Sequence, residues 1–293
     1  MPHPMIEKMV DEELARALLV EQHPDLADLP LTWVGTGWDN AMWRLGDELL
    51  LRFPVRGVSA HLVEHEQRWL PVLAPRLPVD VPVPVRVGVP GPLFPWPWSV
   101  VPWYDATTAA ATPATSHGPW AEQLADFFVA LHVPAPADAP ENPVRGDHVG
   151  TRAQPLRDRL AGLALPDSAR ILDRFTELAS VPAWTGPAVW VHGDPHPANL
   201  LAHDDRLRAV IDFGDVTSGD PACDLATAWL TFDAPARAAF RARIDARCDW
   251  DDAMWQRAQA WALHLSVVMQ MHPVEYPHLA AVGRHGLGQA LAD

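Results

Sequence analysis

A chain of 293 residues and 32.3 kDa has room for two lobes or one large domain. With 48% hydrophobic and 20% charged residues it can bury a core, which excludes a disordered polymer. Lys and Arg number 22 against 37 Asp and Glu, leaving a net charge of −15 and a pI near 5.2. That balance speaks against a nucleic-acid or anionic-membrane partner; it fits a cationic or metal-bridged one, or simply an acidic surface kept for solubility.

Two cysteines, Cys223 and Cys248, make no disulfide framework and fit a reducing compartment. Glu7, Asp11, Glu12 and Glu13 stand where an export signal needs an apolar core. The longest uncharged run, 87–104, is broken by five prolines. Neither a signal peptide nor a spanning helix is expected, and the chain reads as cytoplasmic.

In chain order, Asp11–Gln22 reads as an entry helix with acids in its first turn. Strands follow at Leu31–Val34, Ala41–Leu45 and Leu49–Phe53, the last two joined by a Gly46-Asp47 turn. Ser59 is expected to cap a helix over Ala60–Leu73, where Leu62, Trp69, Leu70 and Leu73 recur at helical spacing. Val81–Val89 alternates proline with valine, suiting an edge strand, and Trp98–Tyr104 is a further strand. Beyond Ser116 helical patterns dominate: Trp120–Val133, Leu156–Leu163, Ala169–Ala179, Asp224–Thr231, Ala236–Arg247 and Met254–Met271. Only Val189–Val191, Leu200–Leu201 and Ala209–Ile211 look like strands there. The expectation is an α+β chain: residues 1–100 as a small sheet lobe, 101–104 as a hinge, and 105–293 as a larger, mainly helical lobe.

The chemistry concentrates in 189–225. A short apolar strand runs into His192, Gly193 and Asp194, with Asn199 five residues after Asp194; a second acidic loop, Asp212-Phe213-Gly214-Asp215, follows the strand at Ala209–Ile211. Two polar loops at the ends of buried strands can converge on one site. Phosphoryl transfer needs such a set: an acid to accept the alcohol's proton, and an amide oxygen with a second carboxylate to hold Mg²⁺ against the phosphates. Asp194 and Asn199 are also ordinary turn residues, and the spacing of His192 and His196 would suit zinc if a third soft ligand stood nearby.

These residues resemble the aminoglycoside phosphotransferase family, antibiotic kinases with the two-lobed protein-kinase-like fold. His192, Gly193, Asp194 and Asn199 meet its H-G-D-x-x-x-x-N; Ile211, Asp212 and Gly214 meet its I-D-x-G. Gly219, Asp220, Pro221, Asp224, Leu225 and Ala226 meet its G-D-P-x-x-D-L-A. The resemblance, from about Leu31 to Leu230, implies Asp194 as catalytic base and Asn199 and Asp212 as Mg²⁺ ligands. His192, Asp220 and Asp224 would support the catalytic loop, and ATP or GTP would be the phosphoryl donor. In the N-terminal part, Gly35, Gly37 and Asn40 of a glycine hairpin would lie over the phosphates. Arg52 would stand for the family's phosphate-binding lysine, paired with Glu66. Lys8 is the only lysine, so a guanidinium must do that work, with different reach and geometry. Arg56, just past Pro54, is expected to play no part. Pro195 follows the presumed base where the family has a bulky apolar residue, and Trp103-Tyr104-Asp105 departs from its hinge pattern.

The implied partners are a nucleoside triphosphate and a small hydroxylated substrate, cationic if Asp249, Asp251, Asp252 and Glu275, with Asp245, form an acidic acceptor wall. An aminoglycoside-like antibiotic is the first expectation. A macrolide, sugar or amino alcohol is the second, and a nucleotide-binding pseudokinase the third. No nucleic-acid or membrane partner is expected.

Overall fold

The computed structural model describes residues 6–163 and 165–293. Chain contacts divide it into two compact units: one runs up to Pro75 and includes Val81–Asp105, and the other joins Arg76–Asp80 to Ala106–Asp293. The short excursion has a local cause. Asp80 O accepts from Val210 N at 3.0 Å, and the Asp80 carboxylate pairs with Arg208, tying 76–80 to the second unit.

In the first unit, helix α1 (Glu12–Gln22) is capped by Asp11, whose carboxylate accepts from Leu14 N at 2.9 Å. Strands β1 (Leu31–Thr36), β2 (Asn40–Leu45), β3 (Leu49–Pro54), β4 (Arg86–Gly88) and β5 (Trp98–Pro102) form an antiparallel sheet in the order β1-β2-β3-β5-β4. Its core gathers Leu18 and Leu19 of α1 with Leu45, Leu51, Phe53 and Trp98 of the strands. β2 buries every second residue, as a one-sided strand must. Of the extended segment 81–89 only Arg86–Gly88 forms a strand, at the sheet edge, with Val85 N also donating to Val100 O at 2.8 Å; Pro82 and Pro84 before it carry no N–H to donate. Helix α2 (Ala60–Leu73) has the expected span, but Ser59 does not cap it. Ser59 already has helical dihedrals, φ −94° and ψ −6°, and its hydroxyl donates to Asp39 Oδ1 at 2.5 Å. Residues 103 and 104 are tied into this unit by Trp103 N to Glu48 O at 2.7 Å and Tyr104 Oη to Val81 O at 2.9 Å.

The second unit opens with β6 (Thr107–Thr108) and helices α3 (Ala121–Leu131), α4 (Ala153–Leu163) and α5 (Ser168–Leu178). Strand β7 (Val189–Val191) pairs with β10 (Thr217–Gly219), and β8 (Leu200–His203) lies between β6 and β9 (Arg206–Val210). Then come α6 (Ala222–Leu225), α7 (Thr227–Thr231), α8 (Ala234–Asp245), α9 (Asp252–Val268) and α10 (Pro277–Ala292). The helix expected over Asp224–Thr231 is thus two short ones meeting at Ala226. α9 is buried from Met254 to Val267 except at Gln256 and forms the centre of this unit, packing on α4, α5, α6 and α10. Among the described residues no helix is long and apolar enough to cross a membrane.

α10 was not expected, because three glycines depress its helix propensity. The structure shows what two of them do. A Cβ on Gly283 would lie 2.5 Å from Ser266 O, and one on Gly286 would lie 2.3 Å from Ser266 Oγ and 2.8 Å from Leu230 Cδ2. Both positions let α10 approach α9 closely. Gly288 has nothing within 4 Å of such a Cβ. Gly286→Ala is therefore expected to cost about 1–3 kcal/mol through overpacking, whereas Gly288→Ala should gain about 0.5–1 kcal/mol through helix propensity. Urea denaturation of the two variants checks the opposite signs.

Candidate active site

The loop after β7 is shaped by one buried carboxylate. Asp224, at the C-terminal end of α6, accepts from His192 N at 2.8 Å and from Gly193 N at 2.9 Å, and bonds His132 Nε2 at 2.9 Å. Both Asp224 and the His132 side chain are fully buried. Gly193 takes φ +92°, and a Cβ there would lie 2.5 Å from Asp215 O, so only glycine fits the turn. His192 Nδ1 accepts from Asp194 N at 3.1 Å. That fixes the ring proton on Nε2, which donates to Ile211 O at 3.0 Å. His192 thereby ties the first polar loop to the residue preceding Asp212.

Asn199 completes the loop. Its Nδ2 donates to Asp194 O at 3.0 Å, and its own carbonyl accepts from Ile211 N at 2.9 Å. With the amide nitrogen engaged, the side-chain oxygen is the end left to act as a donor atom to a cation. Asp212, exposed and held at φ +64°, could offer a second hard oxygen. An amide oxygen and a carboxylate suit Mg²⁺. The zinc alternative loses its ligands: both His192 nitrogens are engaged, His196 Nδ1 accepts from Ala198 N at 3.2 Å, and His196 Nε2 lies 3.2 Å from Asp194 Oδ2. Among the described residues no cluster of three or more His, Cys, Asp or Glu is placed to hold a metal.

Two residues that sequence spacing did not reveal as partners flank Asp194. Arg145 Nη2 donates to its Oδ1 at 3.1 Å, while His196 Nε2 faces its Oδ2. Burial alone would raise the Asp194 carboxyl, but His196 and Arg145 outweigh it and hold the group well below the usual carboxylate range. The same contact reverses the effect of burial on His196, whose pKa is raised by Asp194 and then Asp212. Asp215 behaves oppositely: burial pushes it up despite Arg145, whose Nε is 3.9 Å away, and despite the bond from Asn142 Nδ2 at 2.8 Å.

The other expected loop support, Asp220, is not placed on the 192–194 loop. Its carboxylate pairs with buried Arg257 at 2.7 Å and accepts from Ala222 N at 3.0 Å. Its N–H donates to Gly146 O at 2.8 Å, so it steadies the chain next to Arg145. The acidic wall is also differently employed. Asp251 caps α9 by accepting from Met254 N at 3.1 Å. Arg241 holds Asp252 at 2.9 Å and Asp245 at 3.4 Å. Asp249 and Glu275 are exposed.

In the first unit, Arg52 on β3 and Glu66 on α2 form a buried pair, Arg52 Nη1 reaching both carboxylate oxygens at 2.7 Å. The glycine hairpin joins β1 to β2 after a register shift between Trp33 and Gly35. Gly37 N donates to Asn40 O at 2.8 Å to close it, Gly35 has φ +151°, and no described atom lies within 4 Å of a Cβ there. Arg56 is not idle: its guanidinium grips Asp39 Oδ1 at 2.5 Å and Trp38 O at 3.2 Å, anchoring that hairpin.

Residues 31–261 match the model of the phosphotransferase enzyme family. No curated protein matches the chain by sequence. The fold is similar to that of the GDP and kanamycin complex of APH(2")-IIia, at 19% identity and a TM-score of 0.71, covering 95% of this chain and 98% of that one. It is similar to macrolide 2'-phosphotransferase type I, at 21% identity and TM-score 0.64 over 96% and 98% of the two chains. A third likeness is to macrolide 2'-phosphotransferase MphH from Brachybacterium faecium, at 19% identity and TM-score 0.61 over 94% and 98%.

The geometry of the loop generates a stability test. Asp224→Ala strands two buried N–H groups and His132 Nε2, a loss expected to cost about 3 kcal/mol or more. Asp249→Ala, at an exposed position, should stay within about 0.5 kcal/mol of wild type. Denaturant midpoints decide; an Asp224→Ala protein as stable as wild type would show that the carboxylate does not hold the loop.

Proposed function

The chain belongs to the phosphotransferase enzyme family, and from that premise we propose that it transfers the γ-phosphoryl group of ATP or GTP to a hydroxyl of a small molecule. The observation that carries this reading is the placement of Asp194. It sits at the end of a buried strand, its carboxylate facing the Arg145 guanidinium and the His196 imidazole, and its carbonyl is bonded to Asn199.

In the second unit, Asp194 takes the role of the group that receives the acceptor hydroxyl. With its pKa held down it is a weak base, which suits a loose transition state in which the hydroxyl needs orientation first and loses its proton late. Each carboxylate oxygen has a lone pair beyond the one engaged by Arg145 or His196, so a hydroxyl can still donate to it. Asn199 and Asp212 take the role of Mg²⁺ ligands. When bound, the cation would offset charge on the nucleotide phosphates. Asp224 and His192 fix the loop that carries the base. In the first unit, Arg52 takes the role of the phosphate-binding cation. A guanidinium keeps its charge at any working pH and can fork across two oxygens, and Glu66 fixes its direction. Gly35, Gly37 and Asn40 form the hairpin assigned to the nucleotide.

The similar solved proteins support an antibiotic-like acceptor, since their descriptions include kanamycin, streptomycin and gentamicin complexes and macrolide phosphotransferases. Against a polyamine in particular stands the local use of the acids: Asp251 is a helix cap, and Asp245 and Asp252 share Arg241. An acceptor other than an aminoglycoside is the second reading, and that pairing favours it.

Asp194→Asn is expected to keep the fold and nucleotide affinity while lowering transfer by roughly 10²-fold or more, measured as magnesium-dependent nucleotide turnover with a panel of hydroxylated acceptors. Near-normal turnover would remove Asp194 from this role. Wild-type protein that binds nucleotide yet transfers to no acceptor would identify a pseudokinase.

The metal assignment has its own test. Asp212→Ala should abolish the magnesium dependence of nucleotide binding in titration calorimetry, whereas Asp215→Ala, whose carboxylate is occupied by Asn142 and lies near Arg145, should weaken it less. The reverse order would overturn the ligand assignment.

A further inference from the structure

Among the described residues, the second unit carries two half-buried arginines with no carboxylate at ion-pair distance, one at the end of the turn before α4 and one on α4. Nearly every half-buried arginine of the described chain pairs with a carboxylate, as Arg56 does with Asp39, Arg174 with Glu177, and Arg243 with Asp126. Arg152 and Arg159 do not. Arg152 donates only to Thr151 Oγ1 at 3.0 Å and Pro143 O at 3.3 Å. Arg159, on α4, leaves both Nε and Nη1 buried with no hydrogen-bond partner. Arg159 is half-buried, and the acid acting on it, Asp158, accepts no bond from those two atoms; buried guanidinium N–H groups without an acceptor are costly and call for an explanation.

The surroundings sharpen the point. α4 packs on α9 and on the turn Val149–Arg152, which itself touches α9. From α9 comes His264, 3% exposed, with Nδ1 buried and unpartnered. His148, at the start of the turn, likewise leaves Nε2 buried and unpartnered. Burial, then Arg159, Arg145 and Arg152, push the His264 pKa down to about 3, so its imidazole is neutral. Of these three arginines, Arg145 is the one bonded to Asp194. Arg152 also donates to Pro143 O, two residues before Arg145, and α4 with Arg159 packs on the turn that ends at Arg152, so the unpaired arginines and the one bonded to Asp194 belong to one neighbourhood.

We propose that the acceptor carries a carboxylate or phosphate group in addition to its hydroxyl, and that Arg152 and Arg159, with His264 and His148 behind them, bind that anionic group. This rests on the reading that Asp194 receives the hydroxyl. It names a substrate class opposite in charge to the polyamine that an acidic wall would select. Two guanidiniums can engage a carboxylate or phosphate in a forked arrangement, which would occupy the unpartnered Nε and Nη1 of Arg159.

The test uses the full chain in saturating ADP and Mg²⁺, so that the nucleotide site is filled, at ionic strength fixed with sodium chloride. Calorimetric titrations with inorganic phosphate and with malate should show saturable binding of at least one. Phosphate alone would assign a phosphate group to the acceptor, malate alone a carboxylate, and either supports the proposal. Arg159→Gln should weaken that binding by roughly tenfold or more, the loss expected from one charge-assisted bond, with ADP affinity unchanged. If Arg159→Gln does not fold, Arg152→Gln carries the same expectation. Wild-type protein that binds ADP with Mg²⁺ but neither anion would overturn the anionic subsite and leave the kinase reading standing; so would variants that bind the anion as wild type does. Protein that binds no nucleotide would overturn the kinase reading, and the anion titrations, repeated without ADP, would still decide the subsite.

Discussion

The second unit depends on where the Asp224 carboxylate ends up. Buried at the end of a four-residue helix, it is met by two consecutive backbone N–H groups of the loop after β7 and by His132 from the turn following α3. A desolvated carboxylate needs such donors, and the donors need it equally, since strand pairing has ended and no other acceptor is bonded to them. This mutual requirement fixes the turn at Gly193, and the turn aims Asp194. Asn199 and His192 then connect the loop to Ile211, so the position of Asp212 follows from the same network. A chain of hydrogen bonds about three residues deep thus converts one buried charge into the placement of Asp194, proposed as the base, and of Asn199 and Asp212, proposed as the metal ligands.

The charge balance around Asp194 is the second consequence. Burial acts on it in one direction and a nearby imidazole and guanidinium in the other, and the two basic groups win. The cost falls on the neighbours: Asp215, sharing Arg145 with it, is pushed up. Such opposed shifts within one cluster are typical of sites built for chemistry rather than for stability. The acidity of the chain as a whole, −15, is no guide to this locality: Asp251 is spent on a helix cap and Asp245 and Asp252 on Arg241, while Arg145 stands beside Asp194.

Much of this was legible in the sequence. The order and spacing of His192 to Asn199, Asp212 and Asp224 located both polar loops, because each follows a short apolar strand whose pattern is unambiguous. The Arg52–Glu66 pair was implied by the family resemblance rather than by local pattern, and the structure forms it. What escaped was long-range. Arg145 lies in a Pro-rich stretch with no periodicity, and nothing local to it reveals that it reaches Asp194, 49 positions away. α10 escaped because its glycines look like helix breakers until the approach of α9 is known. Ser59 misled because serine before an apolar run is a capping signal, yet its hydroxyl serves Asp39. Propensity is overruled wherever packing or a distant partner supplies more energy than the local preference.

The central claim is that this network moves a phosphoryl group onto an alcohol. It is tested most directly by incubating the full chain with Mg²⁺, a γ-labelled nucleoside triphosphate and a library of hydroxylated small molecules, cationic, neutral and anionic, and locating the label by mass spectrometry. The account predicts label in a phosphate ester of an acceptor alcohol. Label found only in inorganic phosphate, or retained entirely in the nucleotide with every acceptor, would contradict it.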